Sequence, residues 1–143
     1  MLWSMPCAGS RWAQVGVYHN RQLAYHDVVR YNGTMVATVS PQQLADLLSN
    51  PNAHLIDVRD HHEWAGGHIE GARSVPLDQL RADPDRELPP QAVLIFICAK
   101  GSRSLTAAKL AERLGYETVY NVDGGTAAWA RAGFPLVAER IAA

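Results

Sequence analysis

Cysteine is scarce in this chain, with only Cys7 and Cys98 among 143 residues. Two thiols so far apart, in segments of different character, provide neither a disulfide framework nor the paired spacing of a zinc site. A reducing compartment suits them. Long apolar runs are missing too: nothing approaches the roughly 18 consecutive apolar residues of a membrane span. Met1 to Trp12 lacks the basic run and the roughly 7–15-residue apolar stretch of a secretory signal, so the chain reads as cytoplasmic. Nor is there an excess of charge. Thirteen Lys and Arg stand against 14 Asp and Glu, a net charge of -1, which leaves no basic field for nucleic acid or an anionic membrane. Internal repeats and low-complexity tracts are absent. What is present is an average globular balance, 48% apolar and 19% charged, in a length that suits one hydrophobic core.

The pattern changes near Met35. Residues 1–34 mix Trp3, Trp12, Tyr18, Tyr25 and Tyr31 with several His and Arg but sustain no period of 2 or 3.6. They read as an unassigned N-terminal extension, mobile or peripheral, and residues 35–143 as a single domain. Ser40, Pro41 and Gln43 form a capping-box start for a helix running to about Ser49. His54 to Val58 reads as a short buried strand, Asp60 to Ala65 as a brief helix broken at Gly66-Gly67, and Leu77 to Arg81 as another. A loop through Pro84, Pro89 and Pro90 follows. Ala92 to Ile97 is apolar without alternation, the pattern of a central parallel strand covered on both faces. Ser104 to Leu114 reads as a helix with Ala107, Leu110, Ala111 and Leu114 on its packed side, Thr118 to Val122 as a strand, and Thr126 to Ala132 as a last helix. Strands alternating with helices over short connections predict a mostly parallel sheet with helices on both faces.

The chemistry gathers at Cys98-Ala99-Lys100-Gly101-Ser102-Arg103, where the buried strand ends and a helix begins. Ligands of parallel α/β sheets bind off the carboxyl ends of the strands. A loop curling into a helix N-terminus aims its amide N–H groups at one point, and Lys100 and Arg103 add positive charge. Such surroundings lower a cysteine pKa from about 8.5 into the range of roughly 3.5–7.5. Cys98 is therefore expected to be a reactive thiolate, against the alternative of an inert buried cysteine. Asp57 and Arg59, at the end of the first core strand, read first as a buried pair fixing a turn, with support of the active loop as the other reading. His61, His62 and His68 with Glu63 offer no recognised ligand spacing, so no metal is expected, and His68 is assigned a structural hydrogen bond. Trp64, Tyr116, Trp129 and Phe134 read as packing, because no basic stripe accompanies them as it would in a base-stacking platform. Cys7 reads as incidental.

The segment from about Thr38 to Leu136 resembles the rhodanese homology domain. Cys98, Gly101 and Arg103 are similar to its Cys-x-x-Gly-x-Arg loop, and Leu55-Ile56-Asp57-Val58-Arg59 to its first strand. Glu63 to Ala72 is similar to its Glu-aromatic-x-x-Gly-His-Ile-x-Gly-Ala segment, and Gly124 to Trp129 to its late Gly-Gly-x-x-x-Trp. The resemblance implies a three-layer α/β/α fold with a five-stranded mostly parallel sheet. It also implies sulfane-sulfur transfer by double displacement through a Cys98 persulfide, from a small-molecule donor such as thiosulfate to a thiol or cyanide acceptor, without metal or organic cofactor. Many thiosulfate-using members carry arginine directly after the cysteine, where this chain has Ala99. That difference supplies the alternative, a persulfide relay handing sulfur to a partner protein. Phosphatases of this fold use a Cys-x5-Arg loop, and the shorter loop here sets a Cys-dependent phosphatase third.

Overall fold

A computed structural model describes residues 28–31 and 34–139. Cys7 and the first 27 residues of the extension lie outside the described residues. Among the described residues six strands, β1 (Val28–Tyr31), β2 (Thr34–Val39), β3 (Ala53–Asp57), β4 (Arg73–Ser74), β5 (Val93–Ile97) and β6 (Val119–Val122), form one sheet in the order β1-β2-β6-β5-β3-β4. The last five are mutually parallel, as expected. β1 adds an antiparallel edge in which Val28 faces Ala37 and Tyr31 faces Thr34. The sequence reading assigned neither β1 nor β2, because their residues show no alternation of polar and apolar side chains.

Six helices among the described residues complete the layers: α1 (Pro41–Leu47), α2 (His61–Gly66), α3 (Leu77–Ala82), α4 (Pro84–Glu87), α5 (Ser102–Arg113) and α6 (Gly125–Arg131). The capping box expected at Ser40 is formed, with Gln43 N–H donating to Ser40 Oγ at 3.2 Å and Ser40 N–H to Gln43 Oε1 at 2.8 Å. Two local expectations need correction. The loop beginning at Pro84 contains α4, because Asp83 accepts the Arg86 amide at 3.2 Å and so caps a turn that Pro84 can enter. Leu114, placed on the packed side of its helix, is 45% exposed; α5 ends at Arg113, and Leu114 lies past the last packed turn.

Two apolar cores lie on the two faces of the sheet, and β5 feeds both. Leu94, Phe96 and Cys98 point into the one with Ala107, Ala108 and Ala111 of α5, while Ile95 and Ile97 point into the one with Leu44 and Trp129. This period of two puts Cys98 on the α5 side of the sheet. Small residues on α5 let the helix approach the strands closely. No helix among the described residues is long and apolar enough to cross a membrane.

Candidate active site

Cys98 follows the last residue of β5 and is only 1% exposed. The chain turns through Ala99, Lys100 and Gly101, and Gly101 takes a φ of 108°, a left-handed conformation that side chains disfavour. That turn directs the Gly101 N–H at Cys98 Sγ, 3.0 Å away, and brings Ser104 Oγ within 3.3 Å. Burial pushes the thiol up. The Ser104 hydroxyl and the amides of Ser104, Gly101 and Lys100 outweigh it and hold Cys98 below the ordinary thiol value.

The outer side of the turn is held by the start of α6. Thr126 N–H donates to the Cys98 carbonyl at 2.8 Å and Ala127 N–H to the Ala99 carbonyl at 3.2 Å. With these carbonyls turned outward, the N–H groups of the turn remain on the sulfur side. The chain at Gly124 and Gly125 passes with φ of 70° and 60°, and at Gly125 it lies directly against the Cys98 and Ala99 backbone.

Lys100 and Ser102 are exposed at the rim of the turn, while Ala99, Gly101 and Arg103 are half-buried. Arg103 does not point at the sulfur: its two terminal nitrogens donate to Glu63 at 2.8 and 3.0 Å. Hydrogen bonds from Arg103 outweigh partial burial and, with those from Asp60, hold the Glu63 carboxyl down at about 2. Because the folded carboxyl binds its proton less readily than the unfolded one, this stabilisation is present above the ordinary value of 4.5 and is lost as the pH falls through about 2. Glu63→Gln is therefore expected to unfold at nearly the same urea concentration at pH 5 and pH 3, where the parent loses stability; a parallel fall in both would contradict the assignment.

Asp57 and Arg59 lie at the end of β3, 0% and 7% exposed. Arg59 Nε and Nη2 bind Asp57 at 2.7–3.1 Å, and Nη2 also donates to the Gly67 carbonyl at 2.8 Å. Their bonds fix the β3 exit against the end of α2 and reach no residue of the 98–104 turn. Arg59→Lys keeps the charge but not the planar fork. It is expected to cost about 1–2 kcal/mol of stability by urea unfolding, with Cys98 titrating as before.

His68 Nδ1 sits 2.8 Å from the Trp64 carbonyl, which can only accept, so the ring carries its proton there. It stacks on Trp64 at 3.8 Å. Trp129 stacks on Phe134 at 4.3 Å, and Tyr116 packs against the α5-side core. No cluster of three or more His, Cys, Asp or Glu able to hold a metal occurs among the described residues. The sequence reading did not single out Glu63, Ser104, Asn121 or Gly125 as site residues. Glu63 and Gly125 lay inside the matched segments, and Glu63 carried a local signal besides, the capping box it forms with Asp60; Ser104 and Asn121 carried none that marked them as site residues.

The fold is an α/β domain built on a mostly parallel sheet, with Cys98 buried at the end of a central strand and bonded by the Gly101 amide. Residues 40–132 match the rhodanese-like domain, and the chain belongs to that family. It is 35% identical over 97 residues to the thiosulfate sulfurtransferase GlpE of Pseudomonas putida, an alignment covering 68% of this chain and 86% of GlpE. Over 97 residues it is 33% identical to the probable adenylyltransferase/sulfurtransferase MoeZ of Mycobacterium tuberculosis, covering 66% of this chain and only 25% of that relative. A crystal structure of a rhodanese-related protein from Thermoplasma volcanium superposes with a TM-score of 0.64 at 28% identity, over 71% of this chain and 98% of that one.

Proposed function

We propose that this chain is a sulfurtransferase in which Cys98 carries sulfane sulfur from a donor to a thiol or cyanide acceptor. The observation that supports it most is the sulfur atom itself, buried at a strand end and bonded by the Gly101 amide at 3.0 Å. In the first displacement the Cys98 thiolate attacks the outer sulfur of thiosulfate. The S–S bond of the donor breaks, its electron pair leaves with sulfite, and Cys98 holds the sulfur as a persulfide anion. In the second, cyanide or a thiolate attacks that outer sulfur and departs as thiocyanate or a new persulfide, returning the Cys98 thiolate. The amides from Ala99 to Arg103 solvate the charged outer sulfur and Lys100 attracts the anionic donor. Neither step calls for a metal or an organic cofactor. Likeness to GlpE makes thiosulfate the donor to try first.

A second reading, a relay that takes sulfur from a protein or small persulfide, is favoured by the Glu63 carboxylate. It neutralises Arg103, so beside Ala99 only Lys100 in the turn offers an unpaired positive charge to a small dianion. Intact-mass spectrometry after incubation with thiosulfate, and in parallel with a low-molecular-weight persulfide, separates the two. A gain of one sulfur from thiosulfate, removed by cyanide, is expected of the sulfurtransferase, and a gain from the persulfide alone of the relay. No gain from either donor would overturn both.

A further inference from the structure

Ser104, already in contact with the sulfur, is itself paired to a buried residue, Asn121, that the two transfer steps above do not use. Ser104 is fully buried and Asn121 is 6% exposed. The Ser104 hydroxyl lies 2.6 Å from Asn121 Oδ1 and 3.3 Å from Cys98 Sγ. A serine hydroxyl has one proton, and a carbonyl oxygen can only accept. The 2.6 Å separation falls in the O–H···O range, below the usual N–H···O distance, so the proton of Ser104 is directed to Asn121. The oxygen of Ser104 then presents lone pairs to Sγ. A thiol can donate into them; a thiolate cannot.

We infer that Asn121 and Ser104 form a positioning relay that sets the charge on Cys98: Asn121 draws the Ser104 proton away from the sulfur, and forming the thiolate requires that hydroxyl to swing from Asn121 to Sγ. The thiol state has the continuous chain Cys98 S–H to Ser104 O–H to the Asn121 carbonyl. In the thiolate state the Ser104 proton solvates the sulfur and the buried Asn121 oxygen loses its donor, a penalised arrangement. Asn121 thus restrains ionisation while the hydroxyl of Ser104 assists it. Other charges near the sulfur are Arg103, Glu63 bound to it, and exposed Lys100, and none of them touches the Ser104–Asn121 contact.

The inference rests on Cys98 as the working thiol, and its test needs no sulfur donor, so it fails separately from sulfur transfer. The Cys98 pKa is read from ultraviolet thiolate absorbance against pH in a Cys7→Ser background, with the Cys98→Ser spectrum subtracted. Asn121→Leu is expected to lower it by about one pH unit and Ser104→Ala to raise it by about as much, the scale of one hydrogen bond to a charged group. In the double variant the Asn121 effect is expected to vanish, leaving the Ser104→Ala value. Asn121→Val, suited to a strand, replaces the leucine variant if that fails to fold. An unchanged or raised pKa on removing the amide, or an Asn121 effect that persists without the serine hydroxyl, would overturn the relay.

Discussion

Cys98→Ser is expected to fold normally and to lose sulfur transfer by at least about 10³-fold, the scale on which a lost nucleophile acts. The exchange is nearly isosteric, and the Gly101 amide that bonds Sγ at 3.0 Å can bond a hydroxyl instead. What disappears is the anion. A serine hydroxyl stays protonated where a thiol ionises, and oxygen does not form the chain of two sulfurs that a persulfide needs. The matching measurements are thermal unfolding, expected to change little, and thiocyanate formation from thiosulfate and cyanide, expected to fall to background. Transfer that survived in the variant would end the case for Cys98 and move attention to Cys7.

Gly125→Ala is expected to be the most damaging single-methyl change near the site. A Cβ there would overlap the Cys98 carbonyl oxygen and lie 2.6 Å from the carbonyl carbon and oxygen of Ala99. These are backbone atoms that no side-chain rotation can clear. The φ of 60° adds strain of its own, roughly 1 kcal/mol, to an overpacking cost of about 1–3 kcal/mol or more. To relieve the overlap, the start of α6 must withdraw from the turn, breaking the Thr126 and Ala127 bonds that keep its carbonyls outward. A fall in Tm of roughly 10 °C or more is expected, with slow persulfide loading in whatever remains folded. Normal loading at normal Tm would show that the turn does not depend on α6.

Much of this arrangement was legible from local chemistry. Ala92 to Ile97 is apolar because both faces of β5 are covered, and the Ser40 box is a short-range signal complete within four residues. Cys98 could be placed because a strand, a glycine and a basic helix start stand next to one another in the chain. What escaped depends on contacts distant in sequence. Arg103 was legible as positive charge beside the turn, whereas its bond to Glu63, 40 residues earlier, was not. Asn121 looks like an ordinary strand residue until β6 is set beside β5, which brings it under Ser104. Gly125 looks like a turn glycine, and only the packed turn shows that its missing methyl is what lets two backbones meet. The Asp57–Arg59 pair was visible as two opposite charges, whereas its anchor, the Gly67 carbonyl, was not.

The two borders of the sheet are guarded differently. β4 is only two residues long, too short to template a neighbouring chain. On the other side β2 spans six residues, Thr34–Val39, none of them charged, and β1 occupies its outer hydrogen bonds. A version of the protein beginning at Met35 would keep Cys98 and the residues around it but bare that ladder. Bare, uncharged ladders recruit one another. Self-association through β2, rather than a weaker catalytic centre, is the liability that such trimming would introduce.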